Sequence, residues 1–151
     1  MSQSQRSTPS LWAQILGYSG LIPFVGLALA VGLWPAEQAK AASALLGYGV
    51  TIASFLGAIH WGLAMREPQS PSTSPSTRML VWGVVPSLLA WVALMLPTAH
   101  GLLLISVLLA ACFAVDRVVY TRAGLRAWLP MRLLLTAVAG VCCAVAAWSV
   151  R

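Results

Sequence analysis

Long apolar stretches alternate with short polar breaks along this chain. Five stretches, residues 11–34, 41–65, 79–97, 101–120 and 129–150, are each close to the length of a bilayer crossing. A span needs about 20 apolar residues at 1.5 Å rise each. The stretches are too long and too uniformly apolar for barrel strands, which run to about 10 alternating residues, so helices are predicted. The expected fold is all-α, an integral membrane bundle of five transmembrane helices. It forms one domain over residues 11–150, after a tail at residues 1–10.

The breaks differ in kind. Residues 35–40 and 97–101 predict tight turns, which make spans one and two, and spans three and four, antiparallel hairpins. Residues 66–78 are rich in Pro, Ser and Thr and predict a flexible loop. In residues 121–130, Arg122 and Arg126 lie one helical turn apart while Leu125, Trp128 and Leu129 share another face. That pattern suits a short helix at the membrane interface with its arginines toward lipid phosphate. Trp12, Trp34, Trp82, Trp128 and Trp148 sit near span ends, as an aromatic belt requires. Pro23 and Pro86 fall inside spans one and three, where each removes a backbone donor and is expected to kink its helix.

Composition agrees with the pattern. Of the 151 residues, 60% are hydrophobic and 8% charged; a soluble domain carries about 25% charged residues. The net charge of +6 sits on arginines that flank apolar runs, so it marks topology and not nucleic-acid binding. The side bearing the N-terminus would hold Arg6, Arg66, Arg78, Arg117, Arg122, Arg126 and Arg132, against Lys40 and Arg151 on the other. The positive-inside rule then places the N-terminus in the cytoplasm and the C-terminus in the periplasm, with Arg66–Arg78 a cytoplasmic loop. No small-residue cleavage site follows a short apolar core, so residues 11–34 are expected to stay as the first span. The first ten residues are too short and too poor in arginine for a mitochondrial transit peptide. Cys112, Cys142 and Cys143 all lie in apolar runs and lack any zinc, haem or CxxC spacing. They are expected to be buried free thiols, and no metal or cofactor is predicted.

Two kinds of interior mark follow. Gly49, Ala53 and Gly57 recur every fourth residue, a spacing that lets helices approach closely. His60 continues that face and should look into protein. Gly140 and Ala144 form a weaker pair on the last span. The second mark is depth. Tyr18, Ser19, His60, Trp61, Ser87, Asp116 and Arg132 all fall in the arginine-rich third of their spans. Asp116 is the one acidic residue in any span, so it needs a partner, and His60 or Arg132 lies at the right depth.

That cluster excludes more than it assigns. His60 and His100 lie at opposite depths, so they cannot share a haem. One acid cannot make an aspartyl protease, and no nucleophile elbow surrounds Ser54 or Ser87. The spans show no internal repeat of the transporter kind. A quinone or lipid-headgroup pocket, or a purely structural lock between helices, remains.

Three segments carry a resemblance. These are Leu16-Gly17-Tyr18-Ser19-Gly20-Leu21-Ile22-Pro23-Phe24, Ser54-Phe55-Leu56-Gly57-Ala58-Ile59-His60-Trp61-Gly62 and Val85-Pro86-Ser87-Leu88-Leu89-Ala90-Trp91. They resemble the signatures of the bacterial domain-of-unknown-function family 3429 (DUF3429), which is similar to mitochondrial transmembrane protein 69. Ala58 stands where that family usually has a second glycine. The resemblance implies a multi-span protein of the bacterial inner membrane, and it transfers no catalytic residue.

The expectation is a non-enzymatic accessory or assembly subunit of a larger membrane complex, respiratory or otherwise energy-converting. Its partners would be the lipid bilayer and other membrane-protein subunits, with no nucleic acid. The alternative is a small protein that binds quinone or phospholipid in the cytoplasmic leaflet.

Overall fold

The computed structural model describes residues 8–66 and 75–151. Residues 1–7 of the expected tail and residues 67–74 of the expected flexible loop lie outside them. All regular structure among the described residues is helical: α1 Leu11–Ser19, α2 Leu21–Leu33, α3 Gln38–Arg66, α4 Pro75–Leu94, α5 Thr98–Arg122 and α6 Leu129–Ser149. Single 3-10 turns, Pro35–Glu37 and Arg126–Trp128, lead into α3 and α6. Among the described residues, five helical spans are long and apolar enough to cross a membrane: Leu11–Leu33, Pro35–Arg66, Thr77–Met95, Thr98–Arg122 and Arg126–Ser149. The protein is a multi-pass membrane protein.

The core is built from small and branched residues. Ala42, Leu45, Ala53, Leu102, Ile105, Cys143, Ala146 and Ala147 are sealed between α3, α5 and α6. The closest approach is between α3 and α4. A Cβ built on Gly57 would run into the carbonyl oxygen of Gly83, and one built on Gly83 would stand 3.0 Å from that of Gly57. Two facing glycines therefore let the backbones touch, as small residues do in membrane helices. The Trp61 indole covers Gly83, and its Nε1 donates to the Leu80 carbonyl at 3.0 Å.

Local expectations are refined. The first span is two helices that meet at Gly20, three residues before Pro23. Pro23 occupies the first turn of α2, where a missing N–H is tolerated, and its ring conflicts with the carbonyl four residues back, that of Ser19. The chain resets there: Gly20 N–H bonds back to Leu16 and Gly17, and Tyr48 Oη of α3 donates to the Gly20 carbonyl at 3.0 Å. Phe24 packs edge-on against Tyr48 at 4.9 Å. Pro86, by contrast, lies buried within an unbroken α4.

No separate interfacial helix forms over residues 121–130. α5 continues through Arg122, turns at Gly124 with φ +75°, and one 3-10 turn delivers the chain to α6. Glycine enters that left-handed region without steric cost, which leaves too few residues for an independent helix. At the other end, Gln38 Nε2 donates to the carbonyls of Val31 and Ser149, tying α2, α3 and α6 together. All three cysteines are free thiols.

Candidate functional site

Three helices each bring one polar side chain to a common point inside the bundle. α3 supplies His60, α5 supplies Asp116 and α6 supplies Arg132; they are 1%, 1% and 6% exposed. Asp116 lies six residues before the end of α5, roughly 9 Å along the axis, so it is not a carboxylate snorkelling from a helix terminus. Arg132 Nε donates to Asp116 Oδ2 at 2.9 Å, and Nη2 donates to the same oxygen. A fork of this kind is charge-assisted and directional. It compensates two charges that would be costly alone in hydrocarbon.

His60 completes the group less tightly. Its Nδ1 lies 3.3 Å from the Leu56 carbonyl one turn back, and its Nε2 lies 3.5 Å from Asp116 Oδ1. At 3.5 Å the carboxylate is an electrostatic neighbour and not a hydrogen-bond partner, so Nε2 is buried and unpartnered. Two further side-chain atoms share that condition, Trp82 Nε1 on α4 and Thr136 Oγ1 on α6. A buried polar atom without a partner costs about 1–3 kcal/mol. Three such atoms around one triad mark a region where polar groups are held open.

The seven polar residues singled out from depth are therefore divided. His60, Asp116 and Arg132 come together. Tyr18 and Ser19 lie at the surface of α1, with Ser19 Oγ bonded back to the Leu16 carbonyl. Trp61 is spent on the α3–α4 contact. Ser87 is half-buried next to Pro86 and makes no hydrogen bond to the triad. Depth brackets a layer of the bilayer but not an azimuth, which is why four of the seven fall away. The packing residues divide too. Gly49 and Gly57 are buried against Ile105 and Gly83, and Ala53 is fully buried. Gly140 and Ala144 are only half-buried; the inner face of α6 is Ala139, Cys143, Ala146 and Ala147. Ser106 Oγ of α5 donates to the Gly140 carbonyl at 2.9 Å.

The triad separates two hollows. On one side, a cleft of about 520 Å³ and a pocket of about 160 Å³ share the walls Leu16, Gly17, Phe55, Leu56, Arg132 and Leu135. Thr136 lines the smaller of the two. On α6, Arg132, Leu135, Thr136 and Ala139 recur at helical spacing, so this face alternates polar and apolar groups along one wall. Arg132 Nη1 has no hydrogen-bond partner among the described residues. On the other side, a cavity of about 360 Å³ is lined by His60, Arg78, Met79, Trp82, Val119 and Arg122, with Val115 behind.

Sequence reading passed over Thr136, Gly83 and Tyr48, and took Trp82 for an aromatic-belt residue and Arg78 and Arg122 for topology or interface charges. Arg78 and Trp82 lie one turn apart on one helix face, a signal that was available. Among the described residues, no group of three or more His, Cys, Asp or Glu could hold a metal ion.

Comparison with known proteins adds a family and no chemistry. A family model described as "Protein of unknown function (DUF3429)" matches residues 9–148. Transmembrane protein 69 of Xenopus tropicalis is 40% identical over 83 residues, which cover 55% of this chain and 32% of that protein. The chain thus spans about a third of the length of this relative. No solved structure matches. Ala58, at the position where the resemblance expects a second glycine, is exposed on α3.

Proposed function

The chain belongs to the DUF3429 family of proteins of unknown function, and from that premise we propose a non-enzymatic membrane protein that holds an amphiphile in the cleft beside Arg132. The ligand class is a quinone-like or ester lipid: an apolar tail behind a head that accepts hydrogen bonds. One observation carries this reading. A largely apolar cleft, bordered also by Arg66 and Tyr120, ends on two polar groups with unused capacity, the Arg132 guanidinium and the Thr136 hydroxyl. The combined volume falls in the range of about 300–1,000 Å³ usual for small-molecule sites. A few convergent polar groups at the floor of an apolar cleft fix orientation, while the walls supply affinity. α1 roofs the entrance and carries no buried residue, so the roof can yield as a tail enters. The excess of arginines supports a cytoplasmic position for this end of the bundle, and on this reading the membrane is a bacterial inner membrane.

The test is occupancy. Protein purified in mild detergent should carry a near-stoichiometric apolar lipid by native mass spectrometry, and extraction should identify it. Leu135→Trp, which fills the cleft, should remove most of it while the fold survives. A wild-type protein that is folded, monodisperse and free of any bound lipid would sink the reading. Reporter fusions at residue 151 should read periplasmic.

A second reading, an accessory or assembly subunit of a larger membrane complex, has its own support. Leu11, Trp12 and Leu16 of α1 are about 70% exposed, leaving an apolar surface for lipid or for another subunit. Subunits that copurify in mild detergent and are lost on Trp12→Ala would favour it.

A further inference from the structure

The cavity on the far side of the triad is built differently from the lipid cleft. It lies between α3, α4 and α5 and does not depend on the reading given for the cleft. Three of its lining groups, Arg78, Arg122 and Trp82, are hydrogen-bond donors with no acceptor function. His60, the fourth, presents a ring nitrogen that can also donate. Trp82 Nε1 is buried and unpartnered, and His60 Nε2 is buried without a hydrogen bond, 3.5 Å from the Asp116 carboxylate. Among the described residues no carboxylate lines the cavity. Asp116, behind His60, is already neutralised by the Arg132 fork. The remaining walls are Met79, Val115 and Val119.

This is an excess of donors and of positive charge around an apolar-backed hollow. Two guanidiniums that approach from separate helices suit an oxyanion with several oxygens, because each can take its own pair. A carboxylate offers two oxygens; a phosphate offers more acceptors, spread over a wider angle. The indole N–H then finds an acceptor that the protein itself does not provide, while the imidazole adds a donor-capable edge next to the Asp116 carboxylate. The apolar walls would take the carbon attached to the phosphate. We propose that this cavity is a phosphate-group site, formed by Arg78, Arg122, Trp82 and His60. The phosphate is either the headgroup of a membrane phospholipid or a free phosphate.

The experiment uses the full chain in detergent micelles. Phosphatidylglycerol is titrated and counted by native mass spectrometry, and inorganic phosphate is titrated separately by calorimetry. Arg78→Gln and Arg122→Gln are suitable because both side chains are exposed and neither holds the fold. Each should weaken binding by about tenfold, the loss of one charge-assisted contact. Trp82→Phe, which removes only the indole N–H, should weaken it several-fold. Arg117→Gln is the control: Arg117 is exposed on the same helix as Arg122 and lines a neighbouring groove that Arg122 also borders but Arg78 does not, so it should leave binding within about twofold while Arg78→Gln does not. Binding of phosphatidylglycerol but not of inorganic phosphate assigns the site to lipid; binding of both shows that the phosphate group suffices. If wild type binds neither, or if Arg117→Gln weakens binding as much as Arg78→Gln and Arg122→Gln, the site does not exist.

Discussion

The two ends of this bundle are made from the same helices and behave as different materials. Toward the end where α2 meets α3 and α5 begins, the interior is Ala42, Leu45, Leu46, Leu102, Ala146 and Ala147. A surface groove of about 500 Å³ borders Pro97 and His100 there, but no buried titratable side chain lines it. Toward the arginine-rich end, the interior holds a buried ionic fork, an imidazole, unpartnered polar atoms and hollows on both sides. Small apolar side chains close on each other until no gap remains. Polar groups cannot be covered that way without stranding their donors, so the space around them stays open. The closed half sets the helix positions, and the open half uses them.

The comparison can be broken most strongly at the triad. Arg132→Leu leaves Asp116 as an uncompensated buried charge and should cost about 3–5 kcal/mol, read as a fall in the unfolding midpoint in detergent. The double variant Arg132→Leu with Asp116→Leu should recover most of that loss. Strict additivity of the two single changes would mean that the fork contributes no coupling. Next comes the glycine contact. Gly57→Ala pushes a methyl group against the Gly83 backbone and should cost about 1–3 kcal/mol. Gly62→Ala, on the same helix with nothing within 4 Å, should be neutral or slightly stabilising in the same melt.

A smaller effect of opposite sign sharpens the contrast between structure and ligand binding. Thr136→Val keeps the shape of the side chain and removes a buried hydroxyl without a partner. The empty protein should gain up to about 1 kcal/mol, while lipid occupancy of the cleft falls. A gain with unchanged occupancy would leave the hydroxyl without a role in binding. The smallest change belongs to the closed end. Lys40 and Glu37 pair at 3.6 Å on the surface, and Lys40→Gln should move stability by less than about 0.5 kcal/mol.

Much of the fold was legible because hydrocarbon is an unforgiving solvent. Backbone polar groups must bond internally there, so run length alone locates the helices. Periodicity placed His60 on the face of Gly49, Ala53 and Gly57, and those four residues share a buried face. What run length does not report is where a helix breaks or which way it is turned. Pro23 marked the break, but its place at Gly20 follows from a proline acting on the carbonyl four residues before it. Tyr18 and Trp61 share a depth with the triad and point elsewhere. Trp82, Arg78 and Arg122 looked like belt and topology residues until three helices placed them around one cavity.

The amino-acid sequence by itself determined the membrane habitat, the count of crossings, the crowding of cations at one end and the need of Asp116 for a partner. These follow from local composition, which each segment carries wherever it is placed. Only the tertiary structure decided that Asp116 takes a fork from Arg132, that His60 Nε2 is left without a hydrogen bond, and that a cleft and a cavity flank the three. Those depend on the rotation of α3, α4, α5 and α6 about their own axes. That rotation is set by packing summed over the whole bundle, down to a glycine touching a glycine.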